Sequence, residues 1–180
     1  DTSKAVTCRS HQRQLQTGYY GYLEDHNFRL PGSNTRRPHD WVRYHRNTQW
    51  EKQEDTIKQG SLWPYVESLG VYKCPDFPFV DKFKHYFQNY SLNGYLDGEN
   101  WGHPVRKHYM KVALPARTIT FIEEPDPRKG LMGSWAIRGD RDSWVDPVGT
   151  WHQGGINFAF LDGHTEYWKW KDARTLNIGF

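Results

Sequence analysis

Polar and apolar residues alternate through two runs near the C-terminal end, residues 156–161 (INFAFL) and 164–168 (HTEYW), with Asp162 and Gly163 between them. Alternation with a period of two marks a half-buried strand, and Asp-Gly supplies the positive-φ positions of a type I′ turn. The pattern predicts a β-hairpin with Leu161 opposite His164, Ala159 opposite Glu166 and Phe158 opposite Tyr167. One of its faces is then expected to carry Phe158, Phe160 and Tyr167.

At the other end of the chain the period changes. Ala5, Cys8, Leu15, Tyr19, Tyr22 and Leu23 recur at helical spacing while Lys4, Arg9, Arg13 and Gln16 fill the other positions, which predicts a helix over residues 2–26. Gly18 and Gly21 weaken its second half, and residues 30–34 (LPGSN) break the chain. Ser61 is placed to cap a short helix through Ser68, with Pro64 in its first turn and Gly70 at its end. Residues 86–96 and 118–123 carry strand-forming side chains. In the second of these, alternation puts Ile119 and Phe121 on one side and Thr120 and Ile122 on the other. Asp97 and Gly98 offer a further turn. Residues 126–150, rich in Gly, Pro, Asp and Arg, read as a long surface connection. The whole is an α+β arrangement, an N-terminal α-helix packed on an antiparallel β-sheet. At 180 residues it fits one domain, able to bury about 70% of the surface its unfolded chain exposes.

Composition sharpens this picture. Hydrophobic residues are 36% of the chain and aromatic ones 16%, so burial has to lean on Trp, Tyr and Phe rather than on aliphatic side chains. A net charge of +3, from 24 basic and 21 acidic residues that interleave, gives no argument for a nucleic-acid partner. Residues 36–46 concentrate Arg36, Arg37, His39, Arg43, His45 and Arg46 around Trp41 and Tyr44. They read as a solvated loop with two aromatics tucked beneath it, the alternative being contact with phospholipid head groups or an acidic subunit surface. No run approaches the ~18 apolar residues of a membrane span.

His152, nine further residues and then Asp162-Gly163, with GGINFAFL between and HTEYW after, resembles the C-terminal signature of a bacterial prepilin-type pilin-like family related to the type II secretion major pseudopilins. Residues 8–16 (CRSHQRQLQ), 22–31 (YLEDHNFRLP), 62–76 (LWPYVESLGVYKCPD), 90–96 (YSLNGYL) and 115–124 (PARTITFIEE) resemble further blocks of that family, in its order. His11-Gln12 departs from it, standing where the family pattern favours Asn-Leu. The resemblance implies a pilin-like fold, with residues 1–27 the C-terminal half of the pilin helix and residues 28–180 its sheet and loops. It implies a structural subunit of a type II secretion or type IV pilus-like filament in the bacterial periplasm. A hydrophobic anchor upstream of Asp1 would hold it in the inner membrane, its only membrane contact. Its partners would be other pilin or pseudopilin subunits and the secretion machinery. His152, Gly154, Gly155, Asn157, Asp162 and Gly163 would build the final hairpin. For an exported protein a Cys8–Cys74 disulfide is the expectation, two buried free thiols being the alternative.

Nothing resembles a nucleophile elbow, a phosphate loop, a dinucleotide fingerprint or a zinc-protease helix, so neither a catalytic residue nor a cofactor is expected. Glu123, Glu124, His152, Asp162 and His164 are candidate ligands for zinc or calcium if the two strand ends meet. Each also has a structural reading: Asp162 as the turn residue, His152 as a loop cap or stacked on Trp151, His164 wet beside a tight turn. Major pseudopilins carry calcium in a C-terminal acidic loop, which Asp140, Asp142 and Asp146 echo. Arg138 and Arg141 intrude among them and argue against transferring that site. Two rival functions remain: a carbohydrate-binding module that stacks sugars on Trp151, Trp168 and Trp170, and a metal-dependent hydrolase.

Overall fold

A computed structural model of the chain describes residues 2–43, 53–78, 88–125, 133–141 and 143–177. The first helix, α1 (Thr2–Asp25), buries Cys8, Gln12, Leu15, Gln16, Tyr19, Tyr22 and Leu23. Steps of three and four keep these side chains on one stripe. The stripe is more polar than its pattern suggests. Gln16, expected among the outward positions, accepts a hydrogen bond from Thr120 Oγ1 at 2.7 Å, and Gln12 Nε2 donates to the carbonyl of Asn157 at 2.9 Å. Each of these buried amides has one polar end satisfied by the sheet, which offsets part of the cost of burying it, while Gln12 Oε1 has no hydrogen-bond partner among the described residues.

Two short helices follow, α2 (Gln53–Lys58) and α3 (Trp63–Val66). A Cβ on Gly18 would stand 2.5 Å from Val66 Cγ2, and one on Gly21 2.8 Å from Tyr65 Cδ1. The glycines that weaken α1 as a helix are thus the ones that let α3 lie against it. Leu62, with no side-chain cap, precedes α3, and Glu67 ends it in the left-handed region at φ 44°. Ser61, expected to cap this helix, instead donates to the carbonyl of His39 at 3.1 Å. Gly70, expected to end it, lies in a 3-10 turn, Leu69–Tyr72.

The sheet has five strands: β1 (Tyr90–Asn93), β2 (Ile119–Glu123), β3 (Ser134–Trp135), β4 (Gly155–Phe160) and β5 (Thr165–Lys169), in the order β3-β1-β2-β4-β5. Its pairs are antiparallel except β1 with β3, which is parallel. The sheet is therefore mixed rather than antiparallel, because residues expected as a surface connection supply an edge strand. Trp135, Ala136 and Val148 are buried, and Asp146 accepts from the Ala136 amide at 2.9 Å. The rest of that expected connection, residues 126–132 and 142, lies outside the described residues, as do residues 86–87. A last short helix, α4 (Ala173–Leu176), is capped by Asp172.

The hairpin forms where alternation placed it, but its register is one residue away. Asn157 pairs with Tyr167, Phe158 with Glu166 and Ala159 with Thr165, and the Phe160 amide donates to the His164 carbonyl at 2.9 Å. The loop is three residues long, with positive φ only at Gly163 (96°) and not at Asp162. That is a turn followed by a glycine bulge, not the two-residue type I′ turn. A one-residue slip exchanges faces: Trp168, not Tyr167, joins Phe158 and Phe160, with ring centroids 4.7 and 5.9 Å from theirs. In β2 a bulge has a similar effect. Ile119 pairs with Phe160 but Ile122 with Phe158, so one extra residue lets both Thr120 and Phe121 reach α1, while Ile119 and Ile122 pack on the far side.

The sheet is consequently covered on both faces. Cys8, Leu15, Tyr19, Trp41, Tyr72, Phe121 and Ala159 belong to the core under α1; Ile122, Trp135, Val148, Ile156, Phe158 and Phe160 form a second one. Gly163→Val is expected to cost about 2 kcal/mol, since a β-branched residue resists a left-handed φ. Urea denaturation reads this directly, and wild-type stability in the variant would count against the turn.

Candidate functional site

The densest convergence of reactive side chains lies where the N-terminal half of α1 meets the ends of β2 and β4. Cys8 on α1 is joined by a disulfide to Cys74, Cα to Cα 4.9 Å, across a sequence separation of 66. Both are fully buried. Cys74 opens the Cys74-Pro75-Asp76 turn, and its amide donates to Asn89 Oδ1 at 2.6 Å. His152 enters from the turn before β4, where its amide donates to the Gly155 carbonyl and the Gly155 amide returns a bond to the His152 carbonyl, each at 3.1 Å. Tyr167 Oη donates to that same His152 carbonyl at 2.7 Å. Gly155 fits where a Cβ would stand 2.2 Å from the carbonyl oxygen of Trp168, and Gly154 supplies φ 81°. The two motif glycines thus aim the histidine inward.

His152 is buried, and both of its ring nitrogens face acceptors. Nε2 lies 3.0 Å from Glu123 Oε1 and 3.4 Å from Cys74 Sγ; Nδ1 lies 3.2 Å from Asp76 Oδ2. Glu123, at the end of β2, also receives the Asn157 amide at 3.4 Å. Lys4 Nζ stands 3.5 Å from Asp76. Asn157 ties the cluster to α1 through Arg9 Nε, which donates to its Oδ1 at 3.3 Å, and through its own Nδ2, which donates to the Ala5 carbonyl at 3.2 Å.

Two carboxylates on two nitrogens favour an imidazolium. Burial by itself opposes that charge, but Glu123 and then Asp76 outweigh it and hold the His152 pKa above its ordinary value. Burial also pushes the Glu123 carboxyl up, against the pull of His152 and the Asn157 amide. Both displacements mean that the folded state keeps protons that the unfolded chain has released. The His152 contribution to stability is therefore complete below about pH 6.5, the free histidine value, and is lost as pH rises through the raised folded pKa. An NMR titration of the His152 ring should give a midpoint above about 6.5; a midpoint below that would contradict the cationic assignment.

Of the five candidate ligands, the fold brings together two, Glu123 and His152. Glu124 is buried but stands outside this cluster. Asp162 and His164 pair with each other at the hairpin loop, where His164 stacks on Phe160 at 4.3 Å and also meets Glu166 at 3.4 Å. What the sequence reading missed is the company of His152. Cys8, Cys74, Glu123 and His152 offer ligand atoms that all lie within 4.8 Å of one another, with Asp76 behind the histidine. The only clue in the sequence was that Asp76 closes the Cys-Pro-Asp turn. Where His152 could have stacked on Trp151, the two rings meet edge to face, 6.3 Å between centroids at 64°.

Other expected features resolve differently. Within residues 36–43, Trp41 is tucked into the core and Arg36 is exposed, as a solvated loop over an aromatic requires, but Asp40 is fully buried as well. Arg37 is engaged by Asp40 at 2.9 Å and Asp97 at 3.2 Å, and Arg29 and His39 also reach Asp97. Tyr44, His45 and Arg46 lie outside the described residues. Asp140 is held at a pKa of about 2 by its hydrogen bonds to Arg138, and Asp146 caps the Ala136 amide, so the two do not share a ligand shell; Asp142 is outside the described residues. The three tryptophans do not form one platform. Trp151 packs on Phe77 with the core under α1, whereas Trp170 packs on Phe158 in the opposite core. A cleft of about 300 Å³ lies elsewhere, lined by Arg138, Arg141, Arg174, Asp172, Ser143 and the exposed Trp144.

Among the described residues, no helix is long and apolar enough to cross a membrane. No family model, no curated protein and no solved structure matches the chain.

Proposed function

We propose that this chain is the globular head of a pseudopilin-like subunit, a structural component of a type II secretion or type IV pilus-like filament in the bacterial periplasm. The observation that carries this reading is α1. It is 24 residues long, roughly 36 Å at 1.5 Å per residue, and one stripe of it is fastened by the Cys8–Cys74 bridge to the Cys-Pro-Asp turn and by Gln12, Gln16 and Asn157 to the sheet. Its opposite side carries Val6, 62% exposed. A rod fastened along one face to a two-cored sheet transmits force as a unit. That is what a subunit pushed from its helical end requires, and it calls for no catalytic group. In this reading a hydrophobic anchor continues α1 toward the inner membrane, and neighbouring subunits are the partners. The test uses the full-length gene product with a photo-crosslinking amino acid at Val6, co-produced with a prepilin peptidase. Peptidase-dependent trimming and a ladder of crosslinked subunits in the membrane fraction are expected; an untrimmed product giving monomer alone would refute the proposal.

A second reading, a carbohydrate-binding module, is favoured by Trp144, 42% exposed beside the arginine-lined cleft. Arg138 and Arg174 there are oriented by Asp140 and Asp172, a setting suited to an acidic sugar stacked on the indole. Binding on a glycan array that Trp144→Ala abolishes would support it.

A further inference from the structure

Cys8, Cys74, His152 and Glu123 come from four separate segments and meet in the interior, where each offers one ligand atom and these four atoms all lie within 4.8 Å of one another. A disulfide alone needs neither a histidine nor a carboxylate beside it, and a buried carboxylate is costly wherever it sits. The donor set, two sulfurs, one imidazole nitrogen and one carboxylate oxygen, is a tetrahedral zinc set. At ordinary Zn–S, Zn–N and Zn–O bond lengths, neighbouring ligands in such a site stand roughly 3.3–3.8 Å apart. His152 Nε2 already lies 3.4 Å from Cys74 Sγ and 3.0 Å from Glu123 Oε1. Behind it, Asp76 takes Nδ1 at 3.2 Å, the carboxylate–histidine arrangement that fixes the ring so that Nε2 faces a metal. Glu123 is steadied by the Asn157 amide.

We propose that in its dithiol form the protein binds one zinc ion through Cys8, Cys74, His152 and Glu123, and that the disulfide is the oxidised, metal-free state of the same site. The interconversion balances. Two thiols of a small reductant cleave the Cys8–Cys74 bond and leave as their own disulfide; the two cysteine thiols and the His152 imidazolium then release three protons to solvent as zinc binds the two sulfurs and Nε2. In reverse, a disulfide oxidant accepts two electrons from the zinc dithiolate and two protons from solvent, leaving as two thiols; the ion departs and His152 Nε2 takes up a third proton. A newly made chain would thus be held folded by metal until its bridge closes. The site stands independently of the filament reading.

The experiment uses the whole chain produced in a reducing cytosol, purified with a phosphine reductant and without chelator, its two thiols confirmed by alkylation mass. Cobalt(II) is the probe. One equivalent should bind with a thiolate-to-cobalt charge-transfer band and tetrahedral ligand-field bands, and zinc should displace it. Near-ultraviolet circular dichroism of this form should match that of the oxidised protein. Adding glutathione disulfide should release the metal and restore the bridge. Glu123→Gln and Asp76→Asn, both of which keep the cysteines and the shape of the site, should weaken zinc binding about tenfold or more. The proposal is overturned if the reduced chain takes up no stoichiometric cobalt, if the charge-transfer band is absent, if the disulfide form binds equally well, or if the chain stays unfolded with metal present. Unchanged zinc affinity in both variants also overturns it.

Discussion

Replacing His152 with alanine is expected to lower the unfolding free energy by about 3–5 kcal/mol, the range for a buried ion pair that loses one member. The loss exceeds that of an ordinary surface histidine because Glu123 is fully buried and His152 is the cation beside it, 3.0 Å away. Without the imidazolium, Glu123 can stay in the core only by taking up a proton. The deficit should therefore be largest near neutral pH and shrink toward pH 5, where protonating a buried carboxyl costs less. Adding Glu123→Gln to the His152→Ala protein should recover part of the loss, since it removes the orphaned charge while keeping the side chain's volume. Urea denaturation of the wild type, both single variants and the double variant at two pH values gives the coupling directly. Strict additivity would show that the pair does not interact.

Removing the bridge should have an effect of similar size. A crosslink across 66 residues restrains the unfolded chain by about 4 kcal/mol in the loop-entropy model. It also fastens α1 to the segment that carries Asp76, so the double replacement Cys8→Ser, Cys74→Ser should loosen one end of the helix before the rest of the fold gives way. Hydrogen exchange should report this as faster exchange in the first two turns of α1 than around Tyr19 and Tyr22. Measured with a chelator present, the stability loss isolates the covalent contribution from any metal. A loss under about 1 kcal/mol would mean that packing alone holds α1 in place.

Much of the fold was legible because it rests on local periodicity. The spacing of Cys8, Leu15, Tyr19, Tyr22 and Leu23 placed α1 within a residue of its observed end, and alternation around Asp162-Gly163 located the hairpin. The Cys8–Cys74 pairing followed from an exported reading rather than from geometry, and the structure contains that bridge. Failures came where one residue more or less changes everything downstream. The bulge at Thr120–Phe121 and the three-residue loop at 161–163 each shift a strand by one position, and no propensity distinguishes the two outcomes. Gln16 falls among the outward positions only if polarity is taken for exposure, yet it is buried and has a partner on the sheet.

By itself the sequence determined an α+β chain with a leading helix and a closing hairpin, since both elements are written in repeats a few residues long. Only tertiary structure decided that the sheet is mixed and covered on both faces, because Ser134, Trp135 and Val148 find their places through contacts with β1 and β2. It alone also brought Glu123 and His152 to Asp76 and the Cys8–Cys74 bridge. His152 lies 29 positions from Glu123 and 76 from Asp76 in the chain, and such a meeting depends on how whole elements pack, which no local pattern encodes.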